Sequence, residues 1–152
     1  MTPEATHVET RRSLGHTAAW LAKQVEVGLA DVDLSLPQYR VLGFLDESSA
    51  VSSDLAHRLA VRPPSVTSMV DGLVGRGLVE RRAVQSDRRQ VDHVLTDAGR
   101  RVLEAADRAV EARLADIAGS LDDPAETDRA FEGLAVWRRA LRAHRAARTA
   151  RP

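Results

Sequence analysis

The sequence predicts a mainly α-helical domain with one small β-hairpin, and three observations carry that prediction. Apolar residues recur every three or four positions in six segments, the spacing of one buried helix face. Between Leu78 and Leu95 the period changes to short strand-like runs. Aromatic residues make up 3% of the chain, so its core must be built from Leu, Val and Ala, which favours packed helices over a β-sandwich. A chain of 152 residues with 43% hydrophobic and 29% charged residues suffices for one domain with a real core.

The first helix is expected over about Glu9–Ala30, where Leu14, Ala18, Leu21, Val25 and Leu29 form one stripe. Asp31–Ser35 breaks the pattern. Ser35-Leu36-Pro37 then reads as a cap followed by a first-turn proline, opening a helix over Pro37–Asp46 with Tyr39, Val41, Leu42 and Leu45. Glu47–Ala50 is read as a polar connector. Ser52 or Ser53 can cap a helix of about two turns that buries Leu55, Ala56 and Leu59. Pro63 and Pro64 start the next helix, where a missing N–H costs nothing, and Gly75-Arg76-Gly77 ends it with a left-handed glycine. Its inward residues are Val66, Met69, Val70 and Leu73. Two short helices joined by a tight turn make a helix-turn-helix.

Leu78–Val84 and Val91–Leu95 are short strand-like runs on either side of the polar, turn-like Gln85–Arg89. A hairpin placed directly after a helix-turn-helix is a wing. Thr96-Asp97-Ala98-Gly99 opens a long helix over about Asp97–Ser120, and Asp122-Asp123-Pro124 separates it from a last one over about Ala125–Ala147.

Composition removes several function classes. There is no cysteine, hence no disulfide, thiolate metal site or thiol switch. No stretch approaches the ~20 apolar residues of a bilayer span, and MTPEATHVETRR is followed by no apolar run that would serve for export, so a cytoplasmic chain without a membrane partner is expected. The five histidines are scattered without ligand spacing, and there is no phosphate loop, nucleophile elbow or paired carboxylate placed on a credible cleft. No metal, cofactor or catalytic residue is expected.

Net charge is zero, but its distribution is uneven. From Arg58 to Arg101 nine arginines face five acids, a surplus suited to phosphate on one face. With Val66, Met69, Val70 and Leu73 inward, Pro64, Ser65, Thr67, Ser68 and Asp71 face outward. These are small groups that let a helix settle into a major groove, with hydroxyls for base edges or phosphates. Arg62 at the helix start is the candidate for a guanine or phosphate contact, and the helix N-terminus itself favours an anion. Arg88 and Arg89 stand where a hairpin tip reaches a minor groove. Alone, the outward face suits plain solvation equally well; an arginine-tipped hairpin directly after it favours DNA.

In this order and spacing the pieces resemble the MarR family of bacterial regulators. The resemblance rests on Asp87-x-Arg89, on Leu95-Thr96-Asp97-x-Gly99, and on the run from Pro63 through Leu73 to Gly77-Leu78-Val79. It implies one domain over 1–152, with a winged helix-turn-helix DNA-binding lobe over about 36–97 and dimerisation helices over about 9–30 and 98–147. It further implies a homodimer on a palindromic duplex, nucleoid-associated when bound, with Arg89 inserted in the minor groove and Asp87 ordering the loop. Many members carry an arginine where this chain has Ser68. Such regulators respond to small phenolic or aromatic effectors, for which His16, Trp20, Tyr39, Arg40 and Phe44 are the candidate wall; the same rings also suit core packing. The function expected is a ligand-responsive repressor. The alternatives are a winged-helix adaptor for protein partners that does not bind DNA, and a metal-sensing regulator assembled across a dimer.

Overall fold

The computed structural model describes the backbone of residues 3–84 and 87–149, and the side chains of 13–83 and 91–147. The order is α1 (Pro3–Leu29), a 3-10 turn (Ala30–Val32), α2 (Leu36–Glu47), β1 (Ala50–Val51), α3 (Ser52–Leu59), α4 (Pro63–Gly75), β2 (Val79–Val84), β3 (Asp87–Leu95), α5 (Asp97–Ala118) and α6 (Pro124–Thr149). Two compact units divide the chain, Met1–Arg113 and Leu114–Pro152. Among the described residues no helix is long and apolar enough to cross a membrane.

In the first unit Leu29, Val41, Leu42, Leu55, Val66, Val70, Leu73 and Val79 are fully buried, an aliphatic core drawn from α1 to α4 and the sheet. The Ser35 hydroxyl accepts the Gln38 N–H while the Gln38 side chain accepts the Ser35 N–H, so two orphan donors of α2 are satisfied reciprocally. Gly28 lets α1 lie against the α5 backbone; a Cβ there would stand 3.2 Å from the Ala109 carbonyl oxygen. Beside it Arg113 donates twice to the Gln24 side chain, at 3.0 and 2.7 Å. The α1 stripe is covered only at its C-terminal end. Leu29 is buried, Leu21 and Val25 are half-buried, and Leu14 and Ala18 are exposed.

Three readings of the sequence change. The connector at Glu47–Ala50 ends in a strand, since Ala50 pairs with His93 and Val51 with Asp92. Two residues show no alternation, so only the partner strand reveals them. Neither Ser52 nor Ser53 caps α3; the N-cap is Val51, without a side-chain bond, because the helix springs directly from β1. The expected turn at Gln85–Arg89 is partly strand, with Asp87–Gln90 inside β3. The sheet order is β1-β3-β2, antiparallel throughout, and its register shifts between Ala83, opposite Val91, and Val84, opposite Asp87. Polar residues on a bulged ribbon lack the alternation that marks a strand.

Ala60 closes α3 at φ 55, a left-handed conformation that disfavours an L-residue with a Cβ. Its N–H bonds back to His57 O and that of Val61 to Ala56 O, so the turn into α4 holds it there. Ala60→Gly is expected to stabilise the protein by about 0.5–1 kcal/mol, the relief at φ > 0 exceeding glycine's added chain entropy. Urea denaturation checks it; a midpoint at or below the parent's would refute the expectation.

In the second unit the Asp123 carboxylate accepts the Ala125 N–H at the start of α6, and the Thr127 hydroxyl donates to Ala118 O at 3.0 Å. Leu114, Ile117, Phe131 and Ala135 are half-buried, whereas Leu134, Val136, Trp137 and Leu141 are exposed.

Candidate nucleic-acid interface

Helix α4 is amphipathic as its spacing requires. Val66, Val70 and Leu73 are buried and Met69 is half-buried, while Pro64, Ser65, Thr67, Ser68 and Asp71 are exposed. It ends in a Schellman motif, with Gly77 at φ 68, Gly77 N–H bonded to Val74 O and Leu78 N–H to Leu73 O. Gly77 thus turns the chain from the helix straight into β2.

The start of α4 departs from the anion site that its N-terminus was expected to form. Pro63 and Pro64 have no N–H, and the Ser65 N–H is taken by Arg62 O at 3.0 Å. Those three positions would ordinarily supply most of the free donors of a helix start. The group beside this start that suits an anion is the Arg62 side chain, which is exposed and has no hydrogen bond or ion pair among the described residues.

Most neighbouring arginines are already engaged. Arg81 of β2 pairs with Asp71 of α4, fastening the helix to the hairpin. Arg76 donates to the Asp33 carbonyl at 2.8 Å and approaches its carboxylate at 3.6 Å, tying the end of α4 to the turn after α1. Arg82 bonds Glu80 at 2.7 Å, Arg100 bonds Asp46 at 3.0 Å, and Arg58 lies 5.6 Å over the Phe44 ring. These exposed pairs contribute little stability each; what they do is spend the local surplus of charge. The side chains of Asp87, Arg88 and Arg89 lie outside the described residues, and their backbone starts β3.

The hairpin's root is held by Thr96. Its N–H donates to Leu78 O at 3.1 Å, its hydroxyl to Gly77 O at 2.8 Å, and its oxygen accepts the Gly99 N–H at 3.0 Å. One residue thereby caps α5 and joins it to the exit of α4. His93, buried in β3, meets Ala50 O through Nδ1 at 3.0 Å and fixes β1. Sequence reasoning missed Arg76, Arg81 and Thr96 as braces, because each partner is remote in sequence or on another element. The signal available was the Leu95-Thr96-Asp97-x-Gly99 spacing.

The candidate effector residues do not form one wall. His16, Trp20 and Arg40 are exposed. Tyr39 and Phe44 are half-buried, five positions apart on α2 and so about 140° apart around its axis. The Tyr39 hydroxyl donates to Asp107 of α5 at 2.5 Å, whereas Phe44 lies under Arg58 of α3. Burial first, then the bonded Asp107 carboxylate and its charge, hold the Tyr39 phenol protonated far above its ordinary range. A raised folded-state pKa means a contribution to stability that is complete below about pH 10 and fades as pH rises through the folded value. Tyr39 is the chain's single tyrosine, so ultraviolet titration reads it alone. Asp107→Asn is expected to lower the folded midpoint only partway, since burial is the larger cause; an unchanged midpoint would sever the pair.

The MarR family model matches residues 32–90, from the turn after α1 through the start of the wing. The DNA-bound structure of the transcriptional repressor CouR of Rhodococcus jostii is 30% identical, covers 82% of this chain and 88% of its own, and superposes with a TM-score of 0.67. This chain belongs to the MarR family. Rv1404 of Mycobacterium tuberculosis is 28% identical over 91% of this chain and 95% of its own, with a TM-score of 0.72. The HTH-type transcriptional repressor Rv2887 of the same organism is 29% identical over 116 residues, 76% of this chain and 84% of its own. As a MarR-family protein the chain is a winged helix-turn-helix, DNA-binding transcriptional regulator. Within that family α4 is the recognition helix, and the β2–β3 hairpin is the wing.

Proposed function

We propose that this regulator is a homodimeric repressor that binds a palindromic duplex and is released by a small aromatic or phenolic effector. The observation that carries the DNA reading is the Arg62 guanidinium, without a partner among the described residues, beside an exposed α4 face; Arg76, Arg81 and Arg100 nearby are paired internally. Arg62, Pro64, Ser65, Thr67 and Ser68 meet the major groove, while Arg88 and Arg89 meet the minor groove with Asp87 ordering the loop. CouR on a 23-mer duplex supports this use of the fold.

Dimerisation is supported by apolar side chains left in water on the terminal helices. Trp20 is 73% exposed and Leu14 50% on α1, and Trp137 is 64% and Leu141 56% exposed on α6. A two-fold dimer presents two recognition helices to half-sites about one helical turn apart, which makes the preferred duplex palindromic. The effector acts at the Tyr39–Asp107 contact, the hydrogen bond that links α2 of the lobe to α5.

Sedimentation and band-shift titration at two salt concentrations test the proposal. The expected mass is twice 16.6 kDa, with nanomolar-scale binding to a selected palindrome that weakens steeply as salt rises. A monomer in solution, or a dimer that shifts no genomic fragment at low salt while retaining a protein partner, would replace this reading with that of an adaptor.

A further inference from the structure

The chemistry that α4 offers to a base pair is narrow. Bidentate recognition of bases uses Arg, Lys, Asn or Gln, and Glu or Asp accept a bond from cytosine N4. Between Pro63 and Gly75 the chain has only Asp71 of these, and Arg81 holds it. Arg76 just beyond is held by Asp33. The Thr67 hydroxyl donates to Pro63 O at 3.3 Å, which turns its oxygen onto the helix and leaves its methyl as the group a partner meets. The first two helical positions have no N–H to donate. What remains exposed is two pyrrolidine rings, a threonine methyl, and the hydroxyls of Ser65 and Ser68.

We infer that this regulator reads its half-site chiefly through the C5-methyl groups of pyrimidines, with Pro64 and Thr67 as the residues that set specificity. In the major groove the methyl is the apolar feature of a base edge, and it distinguishes thymine from cytosine and from uracil. Small apolar groups on a helix that settles deeply are suited to cover it, and single hydroxyl bonds from Ser65 and Ser68 discriminate weakly beside it. The same surface makes binding sensitive to cytosine methylation, because 5-methylcytosine presents the identical group. The inference rests on the DNA-binding reading and goes beyond it, from the helix that binds to the chemical feature it recognises.

The test starts from duplexes selected by the full-length protein out of a random library. Each thymine of the selected half-site is then replaced by deoxyuridine, cytosine or 5-methylcytosine, with guanine opposite the cytosines. At one or two positions per half-site uracil is expected to weaken binding about fourfold, the worth of one buried methyl, or about sixteenfold when both half-sites are changed. At the same positions 5-methylcytosine binds about fourfold better than cytosine. Thr67→Ser and Pro64→Ala each erase part of the thymine preference, read within each variant as the ratio of its affinities for the thymine and uracil duplexes. Uracil duplexes bound as tightly as thymine at every position, or variants that keep the full preference, overturn the inference and assign sequence reading to Arg62 and the wing. Failure to enrich any duplex overturns the DNA-binding reading itself, and the inference with it.

Discussion

Gly99→Ala is expected to destabilise the winged lobe by about 3 kcal/mol or more, enough to unfold a marginal domain near physiological temperature. Gly99 is the third residue of α5, buried where that helix passes the exit of α4. A Cβ on it would collide with the Leu78 carbonyl oxygen and stand 2.7 Å from Leu95 Cδ1. The carbonyl cannot retreat freely, because Leu78 O accepts the Thr96 N–H, and Leu78 N–H bonds Leu73 O at the end of the recognition helix. A methyl group there therefore pushes on three elements together. Gly43, with nothing within 4 Å of its Cβ position, is the internal comparison. Gly43→Ala should gain up to about 1 kcal/mol from helix propensity alone. Denaturant midpoints followed by circular dichroism separate the two; equal midpoints for Gly99→Ala and the parent would show that α5 and the α4 exit are not locked together.

Removing the wing arginines should abolish specific binding while the fold survives. Arg88→Ala with Arg89→Ala is expected to weaken operator binding on the order of a thousandfold or more, at about 1–3 kcal/mol for each of the lost contacts counted over two protomers. Arg62→Ala should weaken binding on every duplex more uniformly, and flatten the salt dependence by about one unit of slope per protomer. Arg100→Ala is the contrasting case. Its guanidinium bonds Asp46 at 3.0 Å, so it has less charge to offer a phosphate, and its loss should change affinity by less than about threefold. Band shifts over a salt series, with thermal melts to show intact folding, check all three. Wild-type affinity in the double wing variant would remove the hairpin from the interface.

The nine arginines and five acids of the central segment show how far reading the chain could go. A basic stretch was legible, and with it a face for DNA. Which arginines remain available was not, because Arg100 and Asp46 are 54 positions apart, and Arg76 and Asp33 are 43 apart. The same limit applies to the effector candidates. Tyr39 and Phe44 read as one aromatic wall in the chain, yet a helix with 3.6 residues per turn sends them to α5 and to α3. Prolines 63 and 64 had a double meaning. They correctly mark a helix start, and they also strip that start of the amides that would hold an anion.

What the chain determined by itself is its periodicity. Apolar spacings of three and four placed all six helices, the change of period placed the hairpin, and glycine at 77 placed the turn between recognition helix and wing. Those choices are local, decided by backbone sterics and by which residues shun water within a few turns. The short strand β1, the Thr96 joint and the pairing of Arg76, Arg81 and Arg100 were decided only when remote segments met. A hydrogen bond or ion pair between distant residues costs the entropy of closing the loop between them, and only the packed aliphatic core offsets that cost.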